Sequence, residues 1–379
     1  MPPPPGSFFA TCARGLEPVL HAEVRTLRLA KVERQVGGVY FEGTLRDAWR
    51  ANLWLRTAGR VLMRVARFEC AGERELYAGV REIDWSRFLA PRGRLIVDAH
   101  SKESRLDHTR FVEQRVKDAV VDQFRERAGS RPSVGREDAD LGVYVHLFRD
   151  RCTLLVDTSG HSLHKRGWRR DQGRAPLAET LAAGIVQMSG WDARSPLLDP
   201  FCGSGTLVVE AALLAARAAP GLFAEGFGFE RWRGHDPRGW EREKARAREA
   251  RARPAKLVLR GSDVDPERIA GARANAQAAG VAELVDFEVL EATRIAPRRG
   301  WNAWIVSNLP YGERLGRTAD LAALYRSFGA LLRERCAGYR VALLCADALR
   351  DELGLAAPQV VELENGGLDC RLVRCTLGA

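Results

Sequence analysis

Along residues 7–68, short apolar runs alternate with helical periodicity: FFATCA, LEPVLHAEVRTL, GGVYFEG, LRDAWRANLWL and RVLMRVARF. Period-two runs rich in Val and Phe, interleaved with i, i+3, i+4 stripes, predict a strand-helix-strand order and a small α+β unit. From 73 to about 158 the pattern repeats at domain scale. A helix around ELYAGVREI leads to the strand RLIVDAHS, the amphipathic helix TRFVEQRVKDAVVDQFRERAG, and the strands LGVYVHLF and RCTLLVDTSG. Arg149-Asp150 between the last two predicts a tight hairpin.

After Gly160 the stretch HSLHKRGWRRDQGRAP is basic and poor in aliphatic residues, which marks a domain boundary. It reads either as a solvated linker or as a connector that also touches a phosphate backbone. Beyond Ala175 the texture changes. Helix LAETLAAGIVQMSG, strand PLLDP, glycine loop FCGSG, helix TLVVEAALLAARAA, strand KLVLRGSD, helix DPERIAGARANAQAAG, strands LVDFEVL and NAWIVSN, helix LAALYRSFGALLRER, and strands RVALLCAD and DCRLVRCTL follow in turn. Strands alternating with helices predict a doubly wound α/β domain with a mostly parallel sheet, and the directly consecutive last two strands predict an antiparallel edge pair. The expected divisions are 1–68, 69–160, a linker at 161–175, and 176–379 with an insert at 218–256. The insert carries a basic helical stretch beside Trp232 and Trp240, which reads as a solvated helix face or as a surface turned towards RNA.

At 379 residues the chain is too long for one ordinary core. Its formal charge of +10 favours a polyanionic partner through steering and counterion release. The proline run MPPPPG does not fit a signal peptide and no apolar stretch is long enough to span a membrane, so the expectation is a cytoplasmic protein. Cysteines at 12, 70, 152, 202, 336, 345, 370 and 375 include no CxxC pair, and the two closest histidines, His161 and His164, lack neighbouring ligands. No metal site is expected, and the thiols fit a reducing compartment.

Candidate chemistry sits at strand ends. In LLDPFCGSGTLVVEAA, a strand ends at Asp199 and a helix begins near Thr206, with Gly203-Ser204-Gly205 between them. Glycines permit the tight turn and let a ligand approach the backbone N–H groups, while Asp199 can accept hydrogen bonds from a cationic amine. The loop lacks the Gly-Lys-Ser/Thr ending of a P-loop, and GxGxxG is absent, so neither nucleotide reading is favoured. Asp263, ending GSDVDP, suits two ribose hydroxyls, with Asp265 as a helix cap. Glu291 and Ala292 in LEATR are placed to read an adenine amino edge. In WNAWIVSNLPYGERLG, the Asn308 side chain and the Leu309 carbonyl offer two acceptors for an exocyclic NH2 group, Pro310 fixes the turn, and the exposed-looking Tyr311 suits stacking on an extruded base. An aromatic amine is a poor nucleophile because its lone pair is delocalised. Holding both hydrogens while aiming nitrogen at an electrophilic methyl group supplies orientation and favours developing charge on nitrogen.

These residues resemble class I S-adenosylmethionine-dependent methyltransferases, with Asp199-Pro200-Phe201-Cys202-Gly203-Ser204-Gly205-Thr206 as the methionine-end loop and Asn308-Leu309-Pro310-Tyr311 as the amino-methylating motif. The linker DTSGHSLHKRGWR, the helix APLAETLAAGIV and the insert around FGFERW are more specifically similar to THUMP-containing RNA guanine-N2 methyltransferases of the RlmL-like 23S rRNA family. The resemblance covers nearly the whole chain. It implies a ferredoxin-like region and a THUMP domain that grip structured RNA, followed by a Rossmann-like domain with a mostly parallel seven-stranded sheet. It also implies S-adenosylmethionine as methyl donor, guanine N2 as acceptor, Glu179 and Thr180 at the edge of the cofactor pocket, and Asn308 facing cofactor as well as acceptor. Two positions depart from the pattern: Leu309 stands where proline is more usual, and Glu291 where Asp is commoner. The same chemistry on tRNA, and a noncatalytic RNA-binding protein of the same fold, are the alternatives. DNA adenine methylation shares the motif, but the THUMP-like half points to RNA.

Overall fold

A computed structural model of the chain describes residues 6–135, 139–170, 177–254, 257–298, 300–311 and 318–378. The first half contains β1 (Gly6–Thr11), α1 (Glu17–Thr26), β2 (Ala30–Gln35), β3 (Gly38–Gly43), α2 (Leu45–Trp54), β4 (Arg60–Glu69), α3 (Glu73–Arg81), β5 (Arg94–Lys102), α4 (Thr109–Ala128), β6 (Ser133–Val134), β7 (Leu141–Phe148) and β8 (Arg151–Asp157). Its strands form one sheet in the order β2-β3-β1-β4-β8-β7-β5-β6. The expected repeat of two units is therefore continuous through the antiparallel pairing of β4 with β8. Arg149 and Asp150 both take positive φ, 50° and 56°, as a two-residue turn matched to strand twist demands. The sequence pattern overlooked β2, whose AKVERQ residues are almost all exposed: an edge strand without a buried face has no alternation to detect.

The second half contains α5 (Glu179–Met188), β9 (Leu197–Asp199), α6 (Thr206–Ala215), α7 (Pro237–Glu249), β10 (Leu259–Asp263), α8 (Pro266–Ala278), β11 (Val285–Val289), β12 (Trp304–Asn308), α9 (Thr318–Arg335), β13 (Arg340–Ala346), β14 (Gln359–Asn365) and β15 (Leu368–Thr376). The sheet order is β11-β10-β9-β12-β13-β15-β14, parallel except at β15 and β14. The last two strands of that reading, β13 and β15, pair antiparallel as expected, but β14 lies outside β15 and takes the edge. The strand reading missed β14, a second edge strand with mostly exposed residues. Central strands such as WIVSN and RVALLCA are nearly continuous apolar runs because helices cover both faces. Helix α6, TLVVEAALLA, is apolar all round and buried along most of its length.

The two halves interlock. Leu16 belongs to the second core, and a Cβ at Gly184 of α5 would sit 2.6 Å from the Leu16 side chain. Between the halves lies a buried charge cluster: Arg166 Nε stands 3.3 Å from Glu210 Oε1, and Arg56 Nη1 stands 4.0 Å from Glu210 Oε2. Arg56 also donates to the carbonyls of Leu213 and Ala218, and Arg166 donates to the Arg56 carbonyl.

The basic helix of the insert keeps its arginines exposed, which fits either reading of that face, while the insert's two tryptophans turn inward. Trp232 and Trp240 are 5% and 2% exposed and belong to the core of the first half. Trp240 meets Phe229 edge-on at 5.1 Å, Phe229 stacks on Trp49 of α2 at 5.6 Å, and Trp232 packs on Phe88 at 5.0 Å. These rings dock the insert onto α2 while the arginines of α7 face outward. Residues 171–176 of the expected linker, 255–256 of the insert, and 312–317 after the Tyr311 turn lie outside the described residues. Among the described residues, no helix is long and apolar enough to cross a membrane.

Candidate active site

The site forms where the ends of β9, β10, β11 and β12 meet, the customary place for ligands in an open α/β sheet. Gly205, at φ +79°, caps the start of α6. A Cβ there would lie 2.9 Å from Phe287 Cζ and 3.0 Å from Ala272 Cβ, so both conformation and space require glycine. The loop is pinned by Cys202 N–H donating to the Ser262 carbonyl at 2.9 Å and Gly203 N–H donating to Asp263 Oδ2 at 3.0 Å. Asp263 Oδ1 accepts from the Asp265 N–H at 3.0 Å, and Asp265 in turn caps α8 by accepting from the Glu267 N–H. A carboxylate has about four lone-pair sites, so Asp263 retains capacity for further donors.

Asp199 is 1% exposed at the end of β9. Its Oδ1 accepts from the Ser307 hydroxyl at 2.5 Å and from the Phe201 N–H at 3.3 Å. Burial pushes its carboxyl up to about 7; the Ser307 and Phe201 hydrogen bonds oppose that rise and the Asp263 carboxylate adds to it. Ser204, Thr206, Cys202 and Pro200 are buried around it, and Phe201 packs edge-on against Phe328 of α9 at 5.1 Å.

At the end of β12, beside β9, Asn308 Oδ1 is buried with no hydrogen-bond partner among the described residues. An unpaired buried acceptor costs about 1–3 kcal/mol, a penalty relieved by any donor brought to it. Leu309 is 1% exposed within the cluster containing Ile305, Tyr325 and Phe328. Its N–H donates to the Leu344 carbonyl at 2.9 Å, a bond that proline cannot make, and this accounts physically for leucine at the departing position. The Pro310 carbonyl accepts from the Tyr325 hydroxyl at 3.1 Å. Tyr311 is less open than its sequence context suggested: it is 9% exposed, and its hydroxyl accepts from Asn365 Nδ2 at 2.6 Å.

A match to the RMKL-like methyltransferase domain covers residues 166–374, with the RlmL ferredoxin-like domain at 7–62 and the THUMP domain at 70–157. The chain belongs to the RMKL-like methyltransferase family. Ribosomal RNA large subunit methyltransferase K/L of Shewanella sp. (strain MR-4) is 40% identical over 98% of this chain and 53% of its own length. The protein of that name from Methylococcus capsulatus is 43% identical over 96% of this chain and 50% of its own length. The chain thus spans about half the length of the curated relatives it matches. SMU.472, crystallised with SAH, superposes with a TM-score of 0.87 at 29% identity, covering 99% of this chain and 98% of that one.

Within this family frame, the structure brings Asp199, the glycine loop, Asp263 and Asn308 to one crevice, and adds supports that sequence reasoning missed. Arg169, in the stretch read as linker, is almost fully buried: Nε meets Glu179 Oε1 at 2.9 Å, and Nη2 donates to the Leu177 carbonyl and to Thr206 Oγ1. It ties Glu179, beside Thr180 at the start of α5, to the start of α6, and its buried Nη1 has no partner among the described residues. Asn275 of α8 accepts from the Arg170 N–H at 2.7 Å and donates to the Ser204 carbonyl at 3.0 Å. A local basic run gave no sign of either role, because the partners lie 37 and 71 residues away. Glu291 lies two residues past β11, next to Leu290, whose N–H donates to the Asp263 carbonyl at 3.0 Å, but it is exposed and its carboxylate accepts from Thr293 Oγ1 and faces Arg294; Ala292 is buried in the third core.

Proposed function

We propose that the chain transfers a methyl group from S-adenosylmethionine to the exocyclic N2 of a guanine in 23S rRNA, in the cytoplasm. The observation that carries the reading is the buried, unpartnered Asn308 Oδ1 at the end of β12, beside the glycine loop. Bound S-adenosylmethionine supplies an electrophilic methyl group. Asp199 would accept from the cofactor's amine, the Nη1 of Arg169, unpaired among the described residues, would suit its carboxylate, Asp263 would accept from the ribose hydroxyls, and the Glu291-Ala292 turn would border the adenine. The residues present fit that group: a buried acid for a cation, a buried donor for an anion, and a loop closed to any side chain at Gly205.

Asn308 Oδ1 and the Leu309 carbonyl accept the two hydrogens of the guanine amine, which turns the nitrogen lone pair towards the methyl group and favours positive charge developing on nitrogen. Pro310 holds the turn through Tyr325, and Tyr311, enclosed in the second core with its hydroxyl held by Asn365, supports the turn from beneath rather than offering an open face to the base. The names of the curated relatives and the match to a THUMP domain support ribosomal RNA as substrate. The test is methyl transfer by purified protein to 23S rRNA from cells lacking this gene, with the product mapped by position. Guanine N2 methylation is expected. Transfer to a ring nitrogen, or to tRNA in preference to rRNA, overturns the assignment.

A further inference from the structure

The register of the eight-stranded sheet sets out what the face turned away from the first core presents. Across β5, β7, β8 and β4 the partners form three rows: Asp98-Tyr144-Leu155-Arg64, His100-His146-Thr153-Arg67 and Lys102-Phe148-Arg151-Glu69. Their neighbours along the strands, Val143, Val145, Leu147, Cys152, Leu154 and Val156, point the opposite way into the core. The rows therefore lie on the face turned away from it.

Three rings on that face stack on one another. His100 and His146 lie 5.7 Å apart with planes 11° from parallel, and His146 and Phe148 lie 6.4 Å apart at 26°. The Arg149 guanidinium extends the column, 4.9 Å from the Phe148 ring centre. Phe148 is 37% exposed, and His100 and His146 are exposed as well. Burial, then the charges of His100 and Arg67, hold the His146 imidazole below its ordinary range, so this ring is uncharged at neutral pH and free to stack without carrying charge. The three rows hold four cations, Arg64, Arg67, Lys102 and Arg151, against two carboxylates, Asp98 and Glu69; Arg151 pairs with Glu69 at 2.6 Å and Arg149 with Glu103 at 2.8 Å, while Arg67 and Lys102 form no ion pair among the described residues.

A column of flat rings set among cations on an open surface has the chemistry of a platform for unpaired bases: a base of any sequence extends the stack at its exposed His100 end while the cations follow the phosphates. The geometry points to the His100-His146-Phe148 ladder, flanked by Arg67 and Arg149, as a docking surface for a single-stranded RNA segment. This rests on RNA being the substrate. The ladder lies on the first half's sheet, apart from the strand ends that form the methyl-transfer crevice, so it engages the substrate away from the reacting guanine.

The full chain is tested with a short fluorescein-labelled single-stranded RNA of mixed sequence, read by anisotropy, and with rRNA methylation kinetics; S-adenosylhomocysteine affinity is the control for folding. The double variant H146A/F148A is expected to weaken single-strand binding by about tenfold or more, the scale of losing a stacked base, and to raise KM for rRNA. Arg67→Glu is expected to weaken binding and to lower its salt dependence by about one counterion. Wild-type affinity in both variants overturns the surface while leaving the substrate reading intact, provided the unaltered protein binds and methylates RNA. A duplex that displaces the labelled strand as well as an unlabelled single strand does the same. If the unaltered protein neither binds nor methylates RNA, the substrate reading fails and this surface fails with it.

Discussion

A cationic amine can be held by Asp199 only when its carboxyl is ionised, and burial has pushed that carboxyl up to about 7. Cofactor binding therefore competes with a proton. With one site of that pKa, the apparent Kd scales as one plus the ratio of proton concentration to the acid constant, so affinity falls about tenfold between about pH 8 and pH 6 and about tenfold more by about pH 5. Ser307 sharpens the test: its hydroxyl bonds the ionised form at 2.5 Å, so Ser307→Ala should move the midpoint upward and weaken binding most near neutral pH. Asp199→Asn should bind weakly at every pH and show no slope. Stability of the free protein moves the other way. The folded-state pKa lies above that of an unfolded aspartate, so this group's contribution is fully present in acid and is lost as pH rises through about 7. Calorimetric titration with S-adenosylhomocysteine across this range measures the profile. A flat Kd, or a slope retained in Asp199→Asn, refutes the assignment of the amine to Asp199.

Asn308→Ala should abolish turnover and change the S-adenosylhomocysteine Kd little, since the role proposed for its unpaired oxygen is at the acceptor amine; equal losses in both would contradict that role. Glu210→Ala strands the buried Arg56 and Arg166 between the two halves and should destabilise the chain by about 3–5 kcal/mol in urea unfolding, whereas a cost under about 1 kcal/mol would show that the cluster relaxes freely. Gly205→Ala should cost about 1–2 kcal/mol for its left-handed φ plus the clash with Phe287, while Gly203→Ala, with positive φ but open space, should cost the first amount only. Thermal melts that rank the two alike would remove the clash from the account.

Much of the second half was legible because its signals are local. A glycine loop between a strand and a helix, acids at strand ends and a Pro beside an Asn each state a backbone requirement within a few residues. The same holds for Arg149-Asp150, whose two residues suffice to specify the hairpin. The edge strands β2 and β14 escaped notice because strands with little buried surface carry little alternation.

From its sequence alone the chain determined the alternation of strands and helices, the left-handed turn at Gly205, and which acids and amides end the strands. Only the tertiary structure decided that Trp232 and Trp240 are core, that Arg169 and Asn275 brace the glycine loop, and that Tyr311 is enclosed by Asn365. It likewise decided that Leu309 contributes an N–H to Leu344 where a proline has none. The division follows from the range of the forces involved. Backbone sterics and helix or strand periodicity act over a few neighbours and leave their mark in sequence, whereas burial, and the hydrogen bonds that burial makes obligatory, depend on which distant segments pack together.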